Sequence, residues 1–389
     1  MNIFFWRRLL KQEIVQSRIN DTERAADELF SQLKLQPSQY CVVLFFAGSQ
    51  YDFDLLSKKI AEHFPQCIVA GTMTSGELTQ SGFTKNTVVL TALSDTRTKV
   101  TGVLIDHANK FPIVYKNDIE QAARRCGIVP HRNGGNRDSF ALVFVNGLCN
   151  AEESTLALLN TVIDDDSFFV AGGSAGDDLK FKQTAVSYNG SVVHDGAVIL
   201  FFKTQCTFEI CKENIFKAAG KHVTLTGVNS ETRTVTSIDG KNPRARYAEM
   251  LGIPESKVQD AVLEHPFGRV YGNNTFISSI AGFNSDGSIA MYSRVQKNSI
   301  VEILEPMNAA EIAGKTSDDI KKKIPSPGCV LFINCILRTI GFEKKSLESV
   351  ITRTWNERFP TYCGFSSYGE QFNHLNSNQT LVAIVIGER

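Results

Sequence analysis

Gly71-Thr72-Met73-Thr74-Ser75-Gly76-Glu77 and Gly364-Phe365-Ser366-Ser367-Tyr368-Gly369-Glu370 share one spacing: two glycines, four residues between them, and an acid directly after. Each follows a short apolar run, Ile68-Val69-Ala70 in one case and Tyr362-Cys363 in the other, and each leads to a strand-like stretch, Thr87 to Leu93 or Leu381 to Ile386. Upstream of the first, Val42 to Phe46 has the unbroken apolar character of a buried strand, and Asp54 to Phe64 carries Leu55, Leu56 and Ile60 at helical spacing. Upstream of the other, Val330 to Ile333 and Ser346 to Trp355 give the same pair. A further copy lies between them. Phe140 to Val145 is its strand, Glu152 to Ile163 its helix with Leu156, Leu159 and Ile163 on one face, and Phe168-Phe169-Val170-Ala171 runs into Gly172-Gly173-Ser174-Ala175-Gly176-Asp177-Asp178 before Ala197 to Phe202 closes it. This internal repetition predicts an α/β protein with mixed sheets built from repeated strand–helix–strand–strand units.

Between the second and third copies the chain is richer in β-branched residues. Val223 to Val228 and Thr232 to Ile238 alternate apolar and polar positions as a hairpin does. Pro243 to Leu251 reads as a short helix ended by Gly252, and Phe276 to Ala281 and Ser288 to Met291 as strands separated by Asn284-Ser285-Asp286-Gly287. The expected division is an amphipathic or helical N-terminal segment over 1–36, one module over 37–235 and a second over 236–389. No Pro/Gly/Ser-rich linker parts the modules, so they should be closely associated.

Composition narrows the class. The 389 residues include 41 Lys and Arg against 41 Asp and Glu, so there is no cationic surplus to hold nucleic acid or an anionic membrane surface. Hydrophobic residues make up 42%, with 26 Phe, which is ample for a packed core and rules out a largely disordered chain. Nine cysteines in no C-x-x-C arrangement point to free, buried thiols in a reducing cytoplasm, and exclude a short-spaced zinc site and covalent haem attachment. No run of about twenty apolar residues exists to span a membrane. In Met1 to Leu10 the basic pair Arg7-Arg8 falls inside the apolar stretch, unlike a signal peptide, and Phe4-Phe5-Trp6 reads as an amphipathic lid or a partner-docking strip.

The glycine stretches then have to be read chemically. Gly71 to Gly76 opens like a phosphate-binding loop, but Glu77 and Glu370 stand where a lysine would meet the phosphates. No strand is followed by G-x-G-x-x-G, so the dinucleotide fingerprint is missing. Gly172-Gly173-Ser174-Ala175-Gly176 fits G-x-S-x-G, which keeps a serine hydrolase as an alternative. Yet Asp177-Asp178-Leu179-Lys180 follows where a nucleophile elbow needs a helix, so the expectation is no enzyme and no catalytic residue. Loops that combine Gly, hydroxyls and acids can hold both ends of a zwitterion, amides and hydroxyls taking a carboxylate and acids taking an ammonium group. Taken singly, each loop also reads as a tight turn that needs glycine for φ > 0. Taken together, they place a ligand site at a pseudo-symmetric junction, built from Thr74, Ser75, Glu77, Ser174, Asp177, Asp178, Ser367, Tyr368, Glu370 and Asn378. The seven histidines are scattered and suggest no metal site.

Assembled, the motifs resemble the FIST family of sensory proteins. Its N-terminal module is matched by Val69-Ala70-Gly71 through Gly76-Glu77, by Gly172 to Asp178 and by His194-Asp195-Gly196-Ala197-Val198. Its C-terminal module is matched by Ser237-Ile238-Asp239-Gly240-Lys241-Asn242-Pro243, by Gly364 to Phe372 and by Asn378-Gln379-Thr380. On this resemblance 37–235 is the N-terminal-like and 236–389 the C-terminal-like module. The chain departs from the family pattern at Asn376, where a His is usual, and at Thr72-Met73-Thr74, where Cys-Thr-Thr is common. The resemblance implies a cytoplasmic, non-catalytic ligand sensor of bacterial signal transduction that regulates a separate partner, a histidine kinase or a cyclic-dinucleotide enzyme. Only a few residues follow the third copy, so an output domain is not expected. The implied ligand is a small molecule such as an amino acid or, in the alternative, non-covalent haem serving as a nitric-oxide sensor, for which His194 and His374 are the candidate axial ligands.

Overall fold

The computed structural model describes residues 10–271 and 274–388. The first repeat runs β1 (Lys11–Ser17), α1 (Thr22–Gln32), β2 (Val42–Gly48), α2 (Phe53–His63), β3 (Ile68–Thr74), the hairpin β4 (Glu77–Thr79) and β5 (Gly82–Thr84), and β6 (Val88–Ser94). The second runs β7 (Thr98–Asp106), α3 (Lys116–Cys126), β8 (Ser139–Val145), α4 (Glu152–Ile163), β9 (Phe169–Ser174), the hairpin β10 (Val186–Tyr188) and β11 (Ser191–Val193), and β12 (Gly196–Thr204). The third begins with β13 (Phe208–Asn214) and is then interrupted.

The interruption is a β-rich module: β14 (Phe216–Thr224), β15 (Gly227–Asn229), β16 (Thr234–Ser237), α5 (Pro243–Leu251), α6 (Val258–Ala261), β17 (Phe267–Tyr271), β18 (Asn274–Ser278), β19 (Ile280–Phe283), β20 (Ile289–Met291) and β21 (Ile300–Pro306). It forms two small four-stranded sheets around its own core, which includes Val223, Val235, Tyr247, Phe267 and Ile303. The expected hairpin is displaced: β15 pairs with β16, while β14 crosses to β21. The third repeat then resumes with α7 (Ala309–Lys323), β22 (Pro327–Cys335), α8 (Ile336–Lys344), α9 (Glu348–Asn356), β23 (Cys363–Ser367), the hairpin β24 (Glu370–Phe372) and β25 (Leu375–Ser377), and β26 (Thr380–Gly387).

All three repeats build the same six-stranded sheet, and none builds it alone. The orders are β1-β6-β2-β3-β10-β11, β7-β12-β8-β9-β24-β25 and β13-β26-β22-β23-β4-β5. Each repeat sends its hairpin to the edge of another: the first to the third, the third to the second, the second to the first. The exchange closes a ring. Helices cover the outer faces, and the inner faces share one core in which Phe46, Phe144 and Phe365 from three different repeats meet, with centroids 4.8 to 6.2 Å apart. β2 and β8 are buried on both faces, which is why they read as unbroken apolar runs.

Two expectations change here. The described part of 1–36 contains an edge strand as well as a helix. Main-chain pairing to β6 and the buried Gln12 side chain, which bonds the Val330 backbone in both directions (3.0 and 3.2 Å), fix β1 in the sheet. The Phe4-Phe5-Trp6 strip lies outside the described residues. The glycine stretches, expected as loops, are strand up to their last turn. A Cβ on Gly364 would lie 1.9 Å from the Phe332 carbonyl oxygen, so that glycine lets two parallel strands approach. Gly76, at φ 115°, turns the chain out of β3 into the exported hairpin.

Candidate functional site

The hairpin exchange carries a hydroxyl, a glycine and an acid from each repeat to the centre: Thr74, Gly76 and Glu77; Ser174, Gly176 and Asp177; Ser367, Gly369 and Glu370. Main-chain bonds interlock them. Ser75 N donates to Ser366 O (3.0 Å), Ser366 N to Gly76 O (2.7 Å), Gly176 N to Met73 O (3.1 Å) and Ser174 N to Gly369 O (2.8 Å).

Two of the acids are closed off. Glu77 is fully buried and accepts from the hydroxyls of Thr74 and Thr87. Glu370 is equally buried and accepts from Ser367 Oγ (2.6 Å) and from Thr380 Oγ1 (2.9 Å) and N (3.2 Å). Burial pushes Glu77 up to about 8 and Glu370 up to about 7. Each acid pins the start of an exported hairpin to the strand that closes its repeat. Asp177 behaves differently. Burial opposes its charge, but the Tyr368 hydroxyl and the amides of Lys182, Gln183 and Phe181 (2.7 to 3.1 Å) outweigh it and hold the carboxyl low. Asp178 takes the Ser49 hydroxyl (2.6 Å) and donates its amide to Ser75 Oγ (3.1 Å). Tyr368 accepts from Leu179 N (2.9 Å), and Asn378 Nδ2 donates to the Tyr368 carbonyl (3.3 Å). The ten residues singled out from sequence therefore do meet, and most of their polar atoms are bonded within the junction.

Ser174 is buried as well. Its hydroxyl donates to Glu152 Oε1 (3.1 Å) and accepts from Gln371 Nε2 (3.0 Å). β9 ends at this serine and continues into an extended turn and a hairpin, without the helix of a nucleophile elbow. Behind it, Arg233 of the inserted module clamps Glu152 and Glu153 (2.7 Å each) and bonds the Tyr292 carbonyl (2.7 Å). Burial raises Glu152 despite that arginine, whereas for Glu153 the arginine and the Arg294 amide overcome burial and lower it.

The histidines sit elsewhere. His194 is 3.0 Å from Gln183 and 3.5 Å from Asp54, in a polar recess with Asn146, Lys182, Thr184 and Asp195. His374 borders a recess that contains Asp164, Asp165 and Asp166. A porphyrin needs apolar faces on both sides of its plane. Neither recess supplies them, so the surroundings of these two residues do not fit haem, and most of the described phenylalanines are buried in the core.

A different cavity, of about 210 Å³, lies between the inserted module and the third repeat. Ile215, Phe216, Leu263, Pro306 and Met307 line one side, and Leu337, Arg338, Gly341, Phe342 and Leu347 the other. Arg338 is 1% exposed. Its Nη2 donates to Glu213, and its guanidinium lies 5.4 Å from the centre of the Phe342 ring. Its Nε and Nη1 have no acceptor among the described residues. At the margin Lys345 pairs with Glu264 (2.7 Å), and Asn308 caps α7 by accepting from Ala310 N (3.1 Å) and Glu311 N (3.4 Å). A Cβ on Gly341 would meet nothing within 4 Å. None of the ten junction residues lines this cavity. The sequence held one signal for it: Cys335, Arg338, Thr339 and Phe342 fall on one buried helical face, where an arginine is out of place.

Comparison with known proteins places the chain. A family model described as FIST N domain matches residues 41–241, and one described as FIST C domain matches residues 244–373. No curated protein matches the chain. Among solved structures it is similar to a cyanuric acid hydrolase described as an evolutionary innovation by structural concatenation. That protein is 9% identical, the likeness covers 69% of this chain and 85% of the other, and the TM-score is 0.31. A cyanuric acid hydrolase from A. caulinodans is 8% identical, with 50% and 71% covered and a TM-score of 0.27. A chorismatase is 8% identical, with 97% and 98% covered and a TM-score of 0.37. Scores this low carry no functional weight.

Proposed function

The chain belongs to the FIST family, and from that premise we propose that it senses a small molecule held in the cleft between the inserted module and the third repeat. FIST domains are associated with the sensing of small ligands in signal transduction. The observation that supports this location is the cavity itself, about 210 Å³, walled by Phe216, Leu263 and Met307 on one side and by Leu337, Gly341 and Phe342 of the third repeat on the other. A ligand there would change how the inserted module meets the third repeat, without chemistry on the ligand. A separate signalling protein, a histidine kinase or a cyclic-dinucleotide enzyme, would read that change in the cytoplasm. Nine free thiols support a reducing compartment, and among the described residues no helix is long and apolar enough to cross a membrane. The haem reading has no comparable support around His194 or His374.

The test is a thermal-stability screen of small metabolites against the full chain and against Gly341→Phe, which fills the cleft. Compounds that stabilise the first and leave the second unchanged support the cleft. Equal stabilisation of both sinks it.

A further inference from the structure

Resting on the cleft as the ligand site, we propose that its ligand is a compact, uncharged ring compound held by apolar contact. Phe216, Leu263 and Met307 on one side and Leu337, Phe342 and Leu347 on the other present aromatic, aliphatic and thioether surface to the same volume. The charges around that volume cancel. Asp260 and Glu264 stand with Lys344 and Lys345 among the lining residues, and Lys345 pairs with Glu264 (2.7 Å). The buried guanidinium of Arg338 is held by Glu213. An ion of either sign would leave water for a wall with no surplus of the opposite charge, which is costly. A neutral body meets no such cost, and each Å² of apolar surface it removes from water contributes about 25 cal/mol.

The wall also sets the kind of body and its size. The rings of Phe216 and Phe342 suit offset or edge-on contact with another ring, and the flexible Met307 thioether can follow its outline. An engineered apolar cavity of about 150 Å³ holds benzene. The volume of about 210 Å³ here leaves room for one ring and a short substituent. Ethylbenzene is a suitable probe. Benzylammonium is the cation of the same shape, and benzoate is an anion of similar size.

The experiment is calorimetric titration of the full chain with each of the three probes, repeated on Gly341→Leu and Gly341→Phe. Both side chains start where a Cβ would meet nothing within 4 Å and fill the cleft to different extents. Gly341→Leu is the milder change and carries the test if Gly341→Phe does not fold, which a urea melt shows. Ethylbenzene should bind about tenfold or more tighter than either ion. Its binding should weaken in Gly341→Leu and be lost in Gly341→Phe. Absence of ethylbenzene binding, or either ion binding as tightly, overturns the uncharged assignment. In that case a metabolite that stabilises the full chain but not Gly341→Phe would leave the cleft itself standing. Ethylbenzene binding unchanged in both variants would overturn both.

Discussion

The centre of the molecule and the cleft beside the inserted module are opposites in how they use polar groups. At the centre, Glu77, Glu370 and Asp177 are surrounded by donors from neighbouring strands, and the motif residues bond chiefly to one another. The cleft is walled instead chiefly by apolar side chains, Phe216, Leu263, Met307, Leu337 and Phe342, around an open volume of about 210 Å³. The centre is where the sequence is most patterned, and the cleft is where it is least so. Repetition here records the requirement that three hairpins cross at one place. The open volume of the cleft records something else, and we take it to be the ligand.

The largest expected effect is in the cleft. Arg338→Met leaves Glu213 charged and buried and should cost about 3–5 kcal/mol in a urea melt, whereas Arg338→Met/Glu213→Leu should recover most of it. A single variant as stable as the parent would mean that the pair does not hold the wall. Next comes a contrast between two glycines. Gly364→Ala forces a Cβ against the Phe332 carbonyl at the centre and should cost up to about 3 kcal/mol. Gly341→Phe points into open space on α8 and should instead gain about 0.5 kcal/mol from helix propensity. Losses of similar size at both would erase the distinction between a crowded region and a vacant one.

A smaller effect separates the regions by pH. Glu77 and Glu370 are raised by burial from 4.5 to about 8 and about 7 in the folded protein. Between the unfolded and folded values folding takes up a proton, so their contribution to stability is complete below about 4.5. It then declines as pH rises, by on the order of 1 kcal/mol per pH unit and per group, and levels off above the folded value. Glu77→Gln and Glu370→Gln should each flatten that decline in urea melts from pH 5 to pH 8. A slope unchanged in both variants would show that other groups cause it.

Why one region was legible and the other was not has a physical basis. β2 and β8 are covered on both faces, so their runs are apolar throughout, and Gly76 is required by its φ; such local demands are written locally. The destination of each hairpin is not. β4 pairs with β23 and β24 with β9, far apart in the chain, and nothing within a hairpin names its distant partner. For the same reason Thr74, Ser75, Glu77 and Tyr368 could be placed at a junction while their bonding could not be foreseen. The cleft is harder still. Phe216, Leu263, Met307 and Arg338 come from four separate stretches, and the one local clue, an arginine on the buried face of α8, has no motif around it. The edge strand β1 was missed because its pairing with β6 and the Gln12 bonds to Val330 are also long-range.

The central claim is that ligand binds in the cleft and not among the glycine strands. Amide hydrogen exchange of the full chain, with and without a compound that stabilises it in the thermal screen, tests it directly. Protection should rise over 306–309 and 337–345, which wall the cleft, and stay unchanged over 71–77, 172–178 and 364–370. New protection at those three stretches, with none on α8, would contradict it.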